Sequence, residues 1–363
     1  MNLQQTITDL QSKGLSLVSE TLGASGRKGG AGPSDHKAIT LGETTVMVPV
    51  YTDGAARSPY GISRDRTTGQ SYLTWQGQVI SPIAFPDQPK FYALQTADGI
   101  PYSKIALLHS KNVLATTVLQ TCIRYENRKT ACQFCAIGES LAAGRTIAQK
   151  TPEQPAEVAE AAVRLDGVTN MIMTTGTPNT TDRGAAYLTA CAQAIRSRVD
   201  LPIQAQCEPP NDFSWFEKMR AAGIDTLGMH LEAADPAVRE RIMPGKAKVP
   251  VSYYFEAFKA AVKVFGKGQV NTYLLAGLGD SKETLLSISQ RLIDIGVYPF
   301  VVPFVPIGGT PLEHYSPPKS EFMFELYQAI GQQLNQANLH ASEMKAGCAK
   351  CGACSALSTF EDT

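Results

Sequence analysis

The chain has 363 residues, and its 33 basic and 33 acidic side chains give a formal net charge of zero. This balance excludes a strong electrostatic attraction to nucleic acid or to an anionic membrane surface, so we expect neither as a partner and favour a small molecule. The opening MNLQQTITDLQSKGL lacks the features of a signal peptide, and no apolar run approaches the length of a membrane span, which predicts a cytoplasmic location. Eight cysteines in that reducing compartment favour metal binding over disulfides.

Residues 1–110 form the first of three predicted segments. A short polar helix precedes a Gly-rich stretch at 24–35, and short runs such as SYLTWQGQVI, separated by turn residues, are typical of strands. We therefore predict a strand-rich accessory domain. No motif in it gives a task, and His36 is interpreted as a surface residue.

Residues 111–338 alternate between strand and helix patterns, which predicts an α/β fold with a parallel sheet. The predicted strands are 112–120, 168–175, 201–207, 224–231, 269–277 and 298–305. Six such units predict a partial (βα)6 barrel of the TIM type. Catalytic groups in barrels lie at the carboxyl ends of the strands and in the loops that follow.

Three cysteines follow the first predicted strand in the stretch TCIRYENRKTACQFCAIGES, at Cys122, Cys132 and Cys135. We call them the loop triad and predict that they bind metal. Thiolates hold zinc or iron–sulfur clusters, and three ligands on one loop leave a position open, as in a 4Fe-4S cluster with one iron free of protein ligands. Structural zinc and simple packing of the thiols remain alternatives on the loop alone.

Residues 339–363 form the third segment and carry a second group of thiols in the pattern C-x2-C-x2-C. Its members, which we call the tail triad, are Cys348, Cys351 and Cys354. Ferredoxins place a fourth cysteine where this chain has Ser358, so a second iron–sulfur cluster with an open iron is the first interpretation. Zinc completed by His340 and a disordered tail with idle thiols are the alternatives.

Four ordered motifs of the barrel segment resemble those of the radical SAM superfamily, closest to its biotin synthase group. Phe134 stands at the aromatic place before the last cysteine, and MIMTTGTP resembles the turn after strand two that receives the amino end of S-adenosylmethionine. LLAGLGDSKET and PFVPIGGTPLE are similar to the segments after strands five and six. The resemblance covers roughly residues 112–335, and it also points to a branch often encoded beside nitrilase-like proteins.

The resemblance implies a 4Fe-4S cluster on the loop triad and S-adenosylmethionine bound next to it. Together with Glu208 at the end of strand three, the predicted cofactor-binding residues are Phe134, Thr175, Gly176, Thr177, Glu208, Glu232, Arg241, Gly277 and Pro306. One departure concerns the nine residues between the first two cysteines, where the family has three. RYENRK must therefore loop out to let Cys122 reach the cluster.

His230 and Glu232, at the end of strand four, are the predicted catalytic residues, with a packed core role as the alternative for His230. Tyr273 and Tyr298 on strands five and six are expected to pack, and Cys191 to be a buried small hydrophobe.

The function that the resemblance implies is reductive cleavage of S-adenosylmethionine to a 5′-deoxyadenosyl radical, which takes hydrogen from a small organic substrate. Electrons would come from a donor such as flavodoxin or ferredoxin, and sulfur could be inserted from the tail cluster. Radical rearrangement or cleavage of an amino-acid-derived substrate is one alternative. A zinc-stapled binding protein without catalysis is the other.

Overall fold

The structure is a computed structural model that describes residues 2–17 and 36–361, so the Gly-rich stretch at 24–35 lies outside the described residues. Within these ranges the strands, β1 to β12 in chain order, are His36–Leu41, Thr44–Pro49, Tyr60–Arg64, Ser71–Trp75, Gln78–Ile83, Leu107–His109, Val113–Leu119, Asn170–Thr175, Ile203–Gln206, Thr226–Gly228, Val270–Ala276 and Val297–Pro303. The α-helices, α1 to α13, are Leu3–Lys13, Asp53–Ala56, Tyr102–Ile105, Ile137–Ala142, Glu153–Asp166, Ala185–Arg196, Ser214–Ala221, Pro236–Ile242, Pro244–Ala247, Val251–Phe265, Lys282–Asp294, Ser320–Gln336 and Cys348–Cys351.

One sheet of seven strands organises the fold. Strands β7 to β12 are parallel and neighbour one another in chain order, and β6 adds an antiparallel edge beside β7. The sheet curls into a half-barrel, so the predicted partial barrel with six parallel strands is confirmed. The six strands lie within a few residues of their predicted bounds.

Helices of the β–α units cover the outer face of the sheet because each buries one apolar stripe. In α5 the buried residues recur at three- and four-residue spacing, as at Val158, Ala161 and Ala162. Gly167 ends this helix at φ 63°, a left-handed conformation in which its N–H reaches the carbonyls of the last turn. None of the helices in the described ranges combines the length and apolar character needed to cross a bilayer.

The N-terminal elements pack onto this half-barrel. Helix α1 contacts β2 and α12, and its Ile7 and Leu10 are buried in the same apolar core as the barrel strands. Strands β1 and β2 form one antiparallel pair, and β3, β4 and β5 form a three-stranded antiparallel sheet.

The tail folds back into the concave side of the half-barrel, where polar side chains of the strands bind its backbone. Gly347 donates its N–H to Asn170 Oδ1 at 3.2 Å, and Cys348 donates its N–H to Gln204 Oε1 at 3.1 Å. Thr226 donates its hydroxyl to the carbonyl of Ala346 at 3.1 Å. Gly347 has φ 109°, and a Cβ there would lie 2.1 Å from the Gln204 side chain, so the close approach requires glycine. The described part of the tail is thus ordered rather than a loose extension.

Candidate functional site

The loop triad begins three residues after β7. Backbone hydrogen bonds hold its loop against the end of β8. Gly176 donates its N–H to Leu119, and Ile123 donates its N–H to Thr177. A Cβ on Gly176 would lie 2.0 Å from the carbonyl oxygen of Thr121. Gly176 was predicted to be small so that a ligand can approach closely. The backbone of the cysteine loop already requires a glycine at this position.

The insertion between Cys122 and Cys132 loops out and docks on α9. Gly245 donates its N–H to the Thr130 carbonyl at 3.0 Å, and a Cβ on Gly245 would lie 2.4 Å from that oxygen. The Arg124 guanidinium hydrogen-bonds to the Gly245 carbonyl as well. These contacts show where RYENRK goes when nine residues separate the first two cysteines.

The thiols of the loop triad are partly buried, and neighbouring groups act on those of Cys132 and Cys135. Burial raises the pKa of Cys135 to about 12, and the nearby Cys122 adds to the rise, while the N–H of Ile137 opposes it. Burial also raises the pKa of Cys132 well above its ordinary value, with Glu232 as the next contributor. Metal binding has to displace protons from such thiols, so uptake depends on pH.

Glu208, after β9, is fixed by a buried ion pair. Arg124 Nε donates to Glu208 Oε1 at 2.6 Å, and the Thr177 hydroxyl donates to the same oxygen at 2.7 Å. Burial alone would raise the pKa of Glu208, but the hydrogen bond from Arg124 brings it below its usual range. The insertion, the end of β8 and the end of β9 are joined through this carboxylate.

Glu232 has a backbone conformation that few non-glycine residues adopt, with φ 66°. It pairs with β11 through a bridge to Leu274, and its carboxylate accepts a hydrogen bond of 2.6 Å from Lys246. Burial would lower the pKa of Lys246, but the charge of Glu232 raises it, so the ammonium stays charged. Strained residues of this kind cluster at functional sites.

His230 is neutral in this structure and held by Tyr273. Its Nδ1 accepts the N–H of Tyr273 at 3.3 Å, and the two rings meet edge to face with centroids 4.4 Å apart. Burial, followed by the charge of Lys246, lowers the pKa of His230 to about 3. Because Nδ1 is the acceptor, the ring proton lies on Nε2.

A cavity of about 280 Å³ brings three regions of the chain together. Phe134, His230, Glu232, Gln206 and Tyr273 come from the barrel, Gln11, His36 and Met47 from the N-terminal elements, and Cys354 from the tail. Of the predicted site residues, the cavity is thus lined by Phe134, His230, Glu232 and Cys354.

The other predicted residues lie elsewhere. Thr177 and Glu208 belong to the ion-pair network described above, while Thr175 donates its hydroxyl to the carbonyl of Gly176. Arg241 hydrogen-bonds to the Leu278 carbonyl at 3.1 Å, and Gly277 lies against Pro318. Pro306 falls between two cavity-lining residues of the segment after β12.

Three expectations from the sequence need correction. His36 is buried, with 7% of its surface exposed, and lines the cavity rather than the protein surface. Tyr273 lines the cavity in addition to packing, whereas Tyr298 packs and hydrogen-bonds to Glu361. His340 Nδ1 lies 3.8 Å from Glu361 Oε2. The histidine beside the tail triad is instead His109, whose Nε2 lies 3.4 Å from Cys354 Sγ.

Sequence reasoning missed these cavity residues because alternation along a strand does not say which side faces a cavity. Cys191 is fully buried in α6, as expected for a small hydrophobe. Among the described residues, no group of three or more His, Cys, Asp or Glu side chains is arranged to hold a metal ion, so the metal ligands of both triads stay predictions.

Comparison with protein families gives a match of residues 127–292 to the Radical SAM superfamily. The matched range contains Cys132 and Cys135, begins after Cys122, and ends within α11.

Two curated relatives share parts of the sequence. A bacteriochlorophyllide c C-7(1)-hydroxylase of Chlorobaculum limnaeum is 33% identical over 133 residues, which are 36% of this chain and 33% of that protein. A lipoyl synthase of Thermus thermophilus is 26% identical over 227 residues, which are 59% of this chain and 65% of that protein. The chain therefore spans between a third and just under two thirds of these relatives.

The solved structure of a methylornithine synthase is 17% identical in sequence to this chain. The two superpose with a TM-score of 0.48 over 65% of this chain and 66% of the methylornithine synthase chain. The family match runs from the cysteine loop into α11. The resemblance to the radical SAM superfamily that the motifs predicted is therefore confirmed over residues 127–292.

Proposed function

We propose that this protein is an enzyme that cleaves S-adenosylmethionine reductively and removes hydrogen from a carbon of a small organic substrate. The observation that carries the proposal is the single cavity lined by Phe134 of the cysteine loop and by His230 and Glu232 of the fourth strand end. The match of residues 127–292 to the Radical SAM superfamily supports it.

The residue types present suit the groups that the superfamily implies, although among the described residues no three of them are arranged to hold a metal ion. The loop triad offers three soft thiols on one loop, a donor set suited to an iron–sulfur cluster. Buried opposite charges, Glu232 with Lys246 and Glu208 with Arg124, lie next to it and can match the ammonium and carboxylate of S-adenosylmethionine. When bound, the cluster supplies the electron for cleavage and S-adenosylmethionine supplies the group that takes hydrogen from the substrate.

The protein itself positions the substrate and keeps water out of the cavity. Gln11 and Met47 of the N-terminal elements line one part of the cavity and limit access of water, which suits chemistry that water would quench. His230 presents its Nε2 proton from a neutral ring, so it can orient a polar substrate group without adding charge. An electron donor such as flavodoxin or ferredoxin and a cytoplasmic setting belong to the same proposal.

Sulfur insertion from the tail triad is the finer form of the proposal. It is supported by the position of Cys354, a thiol of the tail triad that lines the same cavity as Phe134 of the cysteine loop. Similarity to a lipoyl synthase over 59% of the chain agrees with it. Radical rearrangement of an amino-acid-derived substrate predicts instead that a tail cluster stays whole during turnover.

The test begins with iron and acid-labile sulfide after anaerobic reconstitution. We expect about eight irons per chain in the parent, and about four when either triad is changed to Ala. The matched control is Cys191→Ala, which removes a buried thiol outside both triads and should keep about eight irons. Zinc without sulfide in the parent would overturn the proposal.

The second measurement is 5′-deoxyadenosine formed from S-adenosylmethionine under reducing conditions. Changing the loop triad to Ala should abolish the product, whereas the tail-triad variant should still form it. Product formation by the loop-triad variant would contradict the assignment. Loss of sulfide from the tail during turnover would support sulfur insertion, and its full retention would favour rearrangement.

A further inference from the structure

The guanidinium of Arg239, in α8, holds the backbone on both sides of Glu232. Its Nη1 donates to the carbonyl of Leu231 at 2.7 Å and to the carbonyl of Ala233 at 3.0 Å. The φ of 66° at Glu232 is one that residues other than glycine rarely adopt, and such a conformation persists only where the surroundings fix it. Arg239 supplies part of that fixation.

The other terminal nitrogen of Arg239 reaches the segment that carries the partner of Glu232. Its Nη2 donates to the carbonyl of Val249 at 3.0 Å and lies 3.4 Å from the carbonyl of Lys246. The planar fork of one arginine thus links the segment with the carboxylate to the segment with the ammonium, and the two charges meet 2.6 Å apart. A lysine has a single terminal nitrogen and cannot make both connections.

The surroundings of Arg239 leave its side chain little freedom to move. The residue is 2% exposed, and among the described residues its guanidinium hydrogen-bonds to main-chain oxygens. Its guanidinium carbon also lies 5.4 Å from the centre of the Tyr254 ring. A buried cation needs such partners to offset the hydration it has lost, so the side chain is tied to the carbonyls that it holds.

Asp280, in the loop after β11, holds the same turn through its N–H groups. Its two carboxylate oxygens accept the N–H of Ala234 at 2.7 Å and the N–H of Asp235 at 2.9 Å. Asp280 is also buried, at 8% exposure. The carbonyls of this turn therefore meet a cation and its N–H groups meet an anion, and charge-assisted hydrogen bonds of both kinds fix the backbone.

We propose that Arg239 and Asp280 are positioning residues that hold Glu232, and with it the ion pair to Lys246, in the arrangement that binds S-adenosylmethionine at the cavity wall. The inference rests on the proposed function, because it takes Glu232 to meet that ligand. It adds two residues that are not among the described cavity-lining side chains and that act on the ligand through Glu232.

The test is a double-mutant cycle on the binding of S-adenosylmethionine to the reconstituted full chain, measured by calorimetry without reductant. Arg239→Lys should weaken binding at least about tenfold, because a displacement of about 1 Å in a positioned group can cost about a hundredfold. Glu232→Gln should weaken binding as well. Because Arg239 acts through Glu232, the double variant should bind no more weakly than Glu232→Gln alone, so the two losses are not additive.

Asp280→Asn is the second variant, and it decides the matter where Arg239→Lys does not fold. It keeps the shape of the side chain but replaces one of the two accepting oxygens by a donor, so it should also weaken binding. Arg196→Lys is the matched control. Arg196 donates to the carbonyl of Gly223 at 3.1 Å, in the loop before β10 and thus at the opposite end of that strand from Glu232, so its change should leave the affinity as in the parent.

Iron per chain and the urea midpoint are measured in every variant, so that effects on cluster assembly and on folding are seen separately. Parent-like affinity in both Arg239→Lys and Asp280→Asn would overturn the inference, even with a lower urea midpoint, because the two residues would then support the fold alone. Additive losses in the double variant would overturn it too, since the arginine would then act by a route other than Glu232.

Failure of the inference is distinguishable from failure of the proposed function. If the parent carries iron, binds S-adenosylmethionine and forms 5′-deoxyadenosine while the Arg239 and Asp280 variants bind as the parent does, the inference fails alone. If the parent carries no iron or does not bind S-adenosylmethionine, the proposed function fails and the inference fails with it.

Discussion

The Lys246 ammonium lies 2.6 Å from the Glu232 carboxylate at the wall of the cavity, and both side chains are mostly buried, at 9% and 14% exposure. Glu232 is also the residue whose backbone adopts the left-handed conformation. Two departures from ordinary behaviour, a buried charge pair and an uncommon φ, therefore coincide at one position. Such a pair fixes the carboxylate in a single orientation before a ligand arrives.

Replacing one partner of this pair should be costly. Lys246→Met leaves the buried Glu232 carboxylate without its cation and should lower the free energy of unfolding by about 3–5 kcal/mol. Urea unfolding measures the effect. The control is Lys282→Met, which breaks the more exposed pair with Glu325 and should cost about 1 kcal/mol or less. Equal losses in the two variants would show that the Lys246 pair is not special.

Gly176→Ala should disturb the cysteine loop directly. The new methyl group would lie 2.0 Å from the carbonyl oxygen of Thr121, so the loop must move, at a cost of about 1–3 kcal/mol. We expect a lower melting temperature and less iron bound on reconstitution. Gly308→Ala is the control, because nothing lies within 4 Å of a Cβ built there. Normal iron content in Gly176→Ala would contradict the close packing.

The buried side chain of His230 should make the free energy of unfolding depend on pH. Its pKa is lowered to about 3 in the folded protein by burial and by Lys246. The unfolded chain therefore takes up this proton first, and the free energy of unfolding falls as the pH drops below the ordinary histidine value. His230 should account for a loss of about 2 kcal/mol between about pH 7 and about pH 5.

His230→Gln should remove that part of the pH dependence, as measured by urea unfolding at both pH values. His314→Gln provides the control, since this side chain is 82% exposed. If the two variants show the same dependence as the parent, His230 is not held neutral by the fold.

Filling the cavity should separate metal binding from catalysis. Met47→Trp adds bulk to a side chain that lines the cavity opposite the barrel residues, and it should lower 5′-deoxyadenosine formation at least about tenfold, a loss of about 1.4 kcal/mol in transition-state stabilisation. Iron per chain should stay at the parent value, because the substitution leaves all six cysteines in place and keeps the backbone N–H of Met47, which donates to the Ala353 carbonyl within the tail triad at 2.7 Å. Val79→Trp, at a position 58% exposed, should leave both quantities unchanged.

The barrel could be predicted from the sequence because its strands are buried on both faces and read as short apolar runs between helix patterns, as at Val113–Leu119 and Val297–Pro303. Strand β6 could not, since three residues, Leu107–His109, carry too little pattern. The cysteines of both triads were evident as residue types at short spacing.

The partners of those cysteines were not evident. Gln206 and Cys348 are 142 residues apart, and His109 and Cys354 are 245 apart. No local pattern encodes such a pairing, because it depends on the tail entering the half-barrel. His36 was predicted to lie on the surface for the same reason. A local pattern can predict its strand, but the element that covers the strand depends on how distant parts of the chain pack.

The docked tail also sets the order in which the concave side of the half-barrel is completed. Residues 346–355 are synthesised after every strand of the sheet, yet they bind Asn170, Gln204 and Thr226 on its concave side. Until those residues leave the ribosome, these three side chains lack their hydrogen bonds to the tail, so this side of the half-barrel acquires its final hydrogen bonds only after the end of the chain has been made.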